Sequence, residues 1–183
     1  MTILTTERLT LRHLTMGDAE TLHDIHHEPG VWTHFQGTPP ASVEDERAKI
    51  EEQLAHYREH GFGGWATVWR ETGELIGRCG LRANVIDGRA ETELGYLISP
   101  RFRGRGLAKE AARGIRDYAF ASLDCARLVA LIHPDNAASK RVATAAGLRY
   151  ERQTLFKEIE VELFVVERTE ILDWSGGGGN ESL

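Results

Sequence analysis

The sequence predicts an α/β domain of the α+β kind, one central mixed and mostly antiparallel sheet of about six to seven strands with about four helices. Three observations predict it. Short alternating segments punctuated by turn residues run from 65 to 98, the apolar period then switches from 2 to 3.6 at Gly104, and RLVALIH follows as a nearly continuous apolar strand.

The elements justify themselves in order. In RLTLRHL, Leu9, Leu11 and His13 alternate with polar neighbours and read as a short strand with one buried face. Thr15 with Asp18 three residues on resembles a helix-capping arrangement, and Leu22, Ile25 and His26 form an apolar stripe that ends at Pro29-Gly30. Ser42 is a second N-cap, with Asp45 and Glu46 in the first turn and Val43, Ile50, Leu54 and Tyr57 at helical spacing until Gly61. GWATVWRETGELIGRCGL is a hairpin turning at Gly73, and Asp87-Gly88 marks a second tight turn. ETELGYLISP then places Leu94, Tyr96 and Ile98 on one face. From Gly104 a helix carries Leu107, Ala111, Ala112, Ile115, Tyr118 and Ala119 on one side. After RLVALIH, PDNAASKRVATAAGL reads as an Ala-rich helix stopping at Gly147, and YERQTLF with VELFVVERTEIL gives a final strand or pair of strands.

The 183 residues fit one domain, expected over 1–174, with Trp174 at its end and a Gly-rich flexible tail at 175–183. A content of 41% hydrophobic and 27% charged residues is that of a globular chain able to bury a core. Charges in the first eight residues and the lack of any long apolar run point to a cytoplasmic protein with no membrane partner. A net charge of −6 argues against a nucleic-acid partner, because non-specific binding depends on a broad basic face. Cys79 and Cys125 are far apart and outside any CxxC pair, so they read as buried thiols.

Against that acidic background RFRGRGLAKE places three arginines around two glycines at a helix start. Glycines let backbone approach a ligand closely, and guanidinium forks suit phosphate oxygens, so a small phosphorylated guest is expected. No GxxxxGK[ST] run exists, and Lys109 stands where a dinucleotide fingerprint needs its third glycine. A strand running directly into a turn whose amides and helix terminus wrap a pyrophosphate satisfies the pattern.

Arg101-x-x-Gly104-x-Gly106 resembles the Q/R-x-x-G-x-G/A signature of the GNAT superfamily of N-acetyltransferases. The element order matches that family over nearly the whole chain, as do ERLTLR, TELGYLISP and PDNAAS at their positions. Together they are most similar to the Rim-type branch that acetylates N-terminal amines of ribosomal proteins, a branch whose members also use other amine acceptors. The resemblance implies acetyl-CoA as co-substrate, gripped by the amides of Arg101, Arg103, Gly104, Arg105, Gly106, Leu107 and Ala108, with arginine side chains on the ribose phosphate. It also implies that Leu97, Ile98 and Asn136 hold the pantetheine arm where two strands splay apart, and that Trp32, His34 and Phe35 line the acceptor side.

Acetyl transfer to an amine requires a free amine, a polarised carbonyl and a donor for the departing thiolate. Glu93 is the first candidate base, placed by the resemblance on the strand entering the cleft and by alternation with Gly95 and Leu97. It also reads as a salt-bridged strand residue. His133 is the second candidate, although a strand-end role before Pro134 accounts for it better. Members of the family with a glutamate base five residues before Asn136 and a general-acid tyrosine seven beyond it are not matched, since Leu131 and Ala143 stand there. Ser139 is left as the nearest hydroxyl for the thiolate, or a first-turn residue serving backbone donors. These departures keep open a small-molecule amine acetyltransferase and a non-catalytic acyl-CoA-binding regulator beside the protein N-terminal enzyme. His23 and His27 sit four apart but lack a third ligand, so no metal is expected. A monomer or homodimer is expected.

Overall fold

The computed structural model describes residues 1–35 and 37–169; the expected domain end at Trp174 and the tail at 175–183 lie outside them. Strand β1 (Thr2–Thr5) turns back at Thr6, whose N–H meets the Leu9 carbonyl, into β2 (Leu9–Arg12), where Leu9 and Leu11 point inward with no exposed surface. Thr15 N–H donates to the Asp18 carboxylate at 2.8 Å and opens the short 3-10 turn that leads into α1 (Ala19–His27). Helix α2 (Val43–His60) is capped by Ser42, whose hydroxyl accepts the Asp45 N–H, and ends at Gly61.

The hairpin run follows as β3 (Gly64–Trp69), β4 (Leu75–Ile86) and β5 (Arg89–Ile98). Asp87 and Gly88 both have positive φ (50° and 78°), the backbone a two-residue turn of the primed type demands. Helix α3 (Leu107–Ser122), β6 (Arg127–Ile132), α4 (Ala137–Ala145), β7 (Arg149–Phe156) and β8 (Ile159–Glu167) complete the described chain. Arg113 and Arg116 of α3 donate to the carbonyls of Ala145 and Ala146, placing cations at the negative end of α4.

The sheet order is β1-β2-β3-β4-β5-β6-β8-β7, with β5–β6 parallel and every other neighbour antiparallel. Among the described residues the sheet has eight strands, more than the six to seven expected. TILT sets Ile3 beside Leu4 and shows no alternation to read, and the final segment is two strands joined at Lys157-Glu158.

Helices α3 and α4 cover one face, where Trp65, Leu81 and Leu94 meet Leu107, Ala111 and Ile115 in the main core. Helices α1 and α2 cover the other, where Leu22 and Ile50 pack with Ala66 and Leu75. Among the described residues no helix is long and apolar enough to cross a membrane.

Candidate active site

The site originates in a pairing that stops. Strands β5 and β6 register only at Thr92–Leu128 and Glu93–Val129, so Leu94 to Ile98 run on without a β6 partner. Peptide groups alternate between the two edges of a strand. Ser99 N–H donates to the Ile76 carbonyl on β4, which turns the peptide groups of Ile98, Tyr96 and Leu94 toward the gap. Of the expected pair Leu97 and Ile98, alternation therefore presents the Ile98 N–H to whatever enters, while the Leu97 side chain packs with Ile25 and Val31.

At the mouth of the gap β5 runs through a short 3-10 turn into Gly104-Arg105-Gly106 and then α3. Both glycines have left-handed backbones, φ 76° and 78°, and a Cβ on Gly104 would meet nothing within 4 Å. The space over the loop is open. The first main-chain bond of α3 runs from Glu110 N–H to the Gly106 carbonyl, so the amides of Leu107, Ala108 and Lys109 precede any intrahelical partner. A diphosphate fits such a cradle of unopposed donors at a helix N-terminus.

The three arginine side chains have other partners. Arg101 pairs with Glu28 at 3.0 Å and Glu74 at 3.3 Å, Arg103 donates to the Gly30 carbonyl at 3.1 Å, and Arg105 lies over the Trp69 ring at 5.1 Å. Ser99 also donates to Glu28, at 2.5 Å. Two of the arginines thus tie the glycine loop to the segment after α1. In this conformation the arginine side chains brace the loop and leave its main chain open.

Glu93 and Ser139 are brought to opposite faces of the gap. Glu93 shares the α1–α2 face with Leu97 and with its cross-strand neighbour Arg82. It is half-buried, accepts a hydrogen bond from the Asn84 side chain, and burial pushes its pKa up to about 6 against the opposing pull of Arg82 and Asn84. Gly95 follows it on the same face and is exposed, with nothing within 4 Å of the Cβ position, so the surface beyond Glu93 is open.

On the α3–α4 face the Tyr96 hydroxyl lies 2.9 Å from both the carbonyl and the hydroxyl oxygen of Ser139. Burial pushes the Tyr96 pKa up to about 12. Asn136 accepts the Ser139 N–H at 3.0 Å. Its oxygen is committed to capping α4, which leaves the amide nitrogen as the end that can reach a ligand.

The segment joining α1 to α2 lies over the α1–α2 side. Trp32 packs on His26 and Phe35, each with ring centroids 5.1 Å apart, and its indole N–H donates to the Gly37 carbonyl. Phe35 is exposed, and His34 reaches across to His133 at 5.3 Å, bringing this segment to the end of β6. The His133 Nδ1 accepts the Asp135 N–H at 3.2 Å. That bond places the neutral ring's proton on Nε2, the nitrogen a base would need free.

Among the described residues no group of three or more His, Cys, Asp or Glu side chains could hold a metal ion. His27 Nδ1 is engaged with the His23 carbonyl. Cys79 and Cys125 are buried, and burial raises both thiols, Cys79 to about 11, away from the thiolate form an acyl carrier requires.

Sequence reasoning missed Tyr96, Asn84 and the tethers of Glu28. Tyr96 sits correctly on the predicted core face, but its hydroxyl needs a partner when buried, and that signal was available. The cross-strand position of Asn84 depends on the register at Asp87-Gly88, and Glu28 meets Ser99 only in the folded chain.

An acetyltransferase (GNAT) domain model matches residues 8–149. Uncharacterized protein YkkB of Bacillus subtilis is 35% identical over 155 residues, covering 82% of this chain and 87% of the relative. Uncharacterized N-acetyltransferase p20 of Bacillus licheniformis is 33% identical over 163 residues, covering 87% and 88%. Among solved structures, an acetyltransferase from Agrobacterium tumefaciens superposes with a TM-score of 0.77 at 32% identity, covering 91% of this chain and 94% of that one. RimL, a ribosomal L7/L12 α-N-protein acetyltransferase solved with coenzyme A, shares the fold with a TM-score of 0.77 at 17% identity over 91% and 98%.

Proposed function

The chain belongs to the GNAT family of acetyltransferases, and from that premise we propose that it moves the acetyl group of acetyl-CoA to a protein N-terminal α-amine by direct attack in a ternary complex. The family makes it an acyltransferase acting on an amine. One observation carries the finer reading: a strand gap with a carboxylate on one face, a hydroxyl pair on the other and a glycine cradle at its mouth.

Acetyl-CoA would supply the activated acyl group as a thioester, a better electrophile than an amide. The amides of Arg101 to Ala108 would bind its diphosphate, and Asn136 its pantetheine arm. The Ile98 N–H would polarise the carbonyl oxygen, an oxyanion-type contact held by main chain. Trp32, His34 and Phe35 would line the acceptor side.

Glu93 would take the proton that the amine must lose, directly or through one water. An α-amine of pKa about 8 lies roughly 2 units above this carboxylate, a lysine of about 10.4 more than 4. At 1.36 kcal/mol per unit these gaps are about 3 and 6 kcal/mol, so the base suits an α-amine. On the opposite face Ser139, held by Tyr96, would donate a hydrogen bond to the thiolate as it leaves. The Tyr96 phenol itself, near 12, is too weak an acid to surrender its proton to a thiolate of about 8.5.

Thiol release measured with DTNB tests the reading, using acetyl-CoA and three acceptors: a Ser-Ala-Ala-Ala peptide with a free N-terminus, spermidine and kanamycin. Turnover of the peptide above the other two is expected. Turnover confined to spermidine or kanamycin would move the assignment to small-molecule amines, and acetyl-CoA binding without turnover would refute the catalytic assignment. Thermal shift with acetyl-CoA, NAD and ATP should show stabilisation by the first alone.

A further inference from the structure

We propose that the cavity on the β2–β3 flank of the glycine loop is a second anion site, which takes a phosphomonoester while a coenzyme diphosphate occupies the cradle. This goes beyond the acetyl-transfer reading, because it assigns a ligand to side chains that the reaction leaves idle.

Three arginines from distant stretches of chain meet there: Arg8 of the β1–β2 turn, Arg70 just past β3 and Arg105 of the glycine loop. With Trp69 and Leu107 they line a cavity of about 620 Å³, within the range of small-ligand sites. The Arg105 guanidinium lies 5.1 Å from the Trp69 ring and 5.7 Å from the Phe102 ring, and among the described residues it has no hydrogen bond and no carboxylate. Arg70 donates through Nη1 to the carbonyls of Thr6 and Glu7, at 2.9 and 2.8 Å, and no carboxylate pairs with it among the described residues. Arg8 is held at Nε by Glu110 at 2.7 Å and at Nη1 by the Arg105 carbonyl at 2.9 Å. Its Nη2 is left beside the glycine loop, 3.6 Å from the Cβ position of Gly106.

Glu7 and Glu71 border the cavity too, but both are exposed and neither pairs with these arginines among the described residues. Two guanidinium charges therefore stand uncompensated in a chain of net charge −6. A phosphomonoester matches them, since it carries nearly two negative charges and three strong acceptor oxygens for three forks. A carboxylate would bring one charge and two oxygens. The cavity opens beside β2 and β3, whereas the gap lies between β5 and β6. Strands β3 and β5 flank β4, so they stand about 10 Å apart at about 4.8 Å per strand. A diphosphate on the amides of Leu107 to Lys109, with its pantetheine arm led to the gap, would run away from this flank.

Calorimetric titration with inorganic phosphate tests the proposal on protein saturated with acetyl-CoA. Saturable binding is expected, with Kd raised at least tenfold in Arg105→Gln by loss of a charge-assisted contact. The Tm of that variant without phosphate should hold, because the side chain leaves only two rings. In the wild type, ¹⁵N NMR of the arginine Nε–H groups should show Arg8 and Arg105 shifting over the same titration. A flat titration, an unchanged Kd in Arg105→Gln, or arginine signals indifferent to phosphate would each overturn it. Phosphate excluded by acetyl-CoA but not by its 3′-dephospho analogue would hand the cavity to the coenzyme's own ribose phosphate, and exclusion by both would put the phosphate on the cradle; either result overturns a separate site. Should the protein bind no acetyl-CoA, the coenzyme reading fails by itself, and the same titration without coenzyme decides this one.

Discussion

Replacing Glu93 with Gln should make the enzyme slower and more stable at once. Burial raises its pKa from 4.5 to about 6, so the folded protein binds the extra proton between those values. Wild-type stability therefore falls as pH rises through that window, and the cost is fully present above it. A shift of about 1.5 units corresponds to roughly 2 kcal/mol at 1.36 kcal/mol per unit. Gln keeps the shape and can still accept from Asn84 but carries no charge. Near pH 8 the variant should gain up to about 2 kcal/mol, or about 4–8 °C in Tm for a chain of this size, and near pH 4 the gain should vanish. Over the same substitution kcat should fall by about 10²–10⁴, the usual worth of a positioned base.

Thermal melts and DTNB rates on one pair of proteins across pH supply both readouts. For the wild type, log kcat/KM should rise with slope 2 below pH 6, where base and amine both titrate. Between pH 6 and 8 the slope should be 1, where only the amine does. Glu93→Gln should show slope 1 throughout. A variant with undiminished kcat, or one destabilised equally at pH 4 and pH 8, would refute the assignment of Glu93 as a half-buried base.

Gly104→Ala should strain a backbone at φ 76° by about 1–2 kcal/mol and weaken acetyl-CoA binding at least tenfold by calorimetry. Gly73→Ala, with the same φ in a turn outside the site, should cost similar stability and leave binding intact. Tyr96→Phe removes the bond to Ser139 and should lower stability by about 1–3 kcal/mol in urea, seen as a lower Cm at constant m. His56 donates through Nδ1 to the Phe62 carbonyl and accepts the Ala83 N–H at Nε2, and burial lowers its pKa. Its contribution should be fully present above the unfolded value of about 6.5 and be lost as pH falls toward the depressed folded value. His56→Gln should flatten that part of the stability profile in urea melts.

The parts of this molecule legible in the sequence are those fixed by local periodicity. Leu107, Ala111, Ala112 and Ile115 at helical spacing can bury only one side, and Asp87-Gly88 accepts positive φ, so α3 and the β4–β5 turn follow from neighbours in sequence. The glycine loop was legible for the same reason. What its arginines do was not, because Glu28 and Gly30, their partners, lie some 70 residues upstream and are brought there only by α1 packing on the sheet. Strand β1 escaped because Ile3 and Leu4 are adjacent and leave no alternation to read. The Tyr96–Ser139 contact escaped because alternation assigns a residue to a face but does not say which hydroxyl waits across it.

The sheet itself accounts for the separation of chemical roles. A carboxylate and a hydroxyl pair in one open pocket would share a proton or a hydrogen bond and blunt each other. Here Glu93 and Tyr96 are three residues apart on one strand, so alternation sends them to opposite faces. Because β5 and β6 stop pairing after Glu93 and Val129, the two faces communicate only through the gap. In the proposed reaction an amine approaching from the α1–α2 side would meet the base, and a thiolate leaving toward α4 would meet the Ser139 hydroxyl, without either group moving. Filling the gap from the Glu93 side should then block acceptors before coenzyme. Gly95→Val adds its bulk where a Cβ has nothing within 4 Å, so KM for the peptide should rise at least tenfold while acetyl-CoA affinity measured by calorimetry holds. Equal losses in both would show that a single pocket serves both substrates and that the division by faces is wrong.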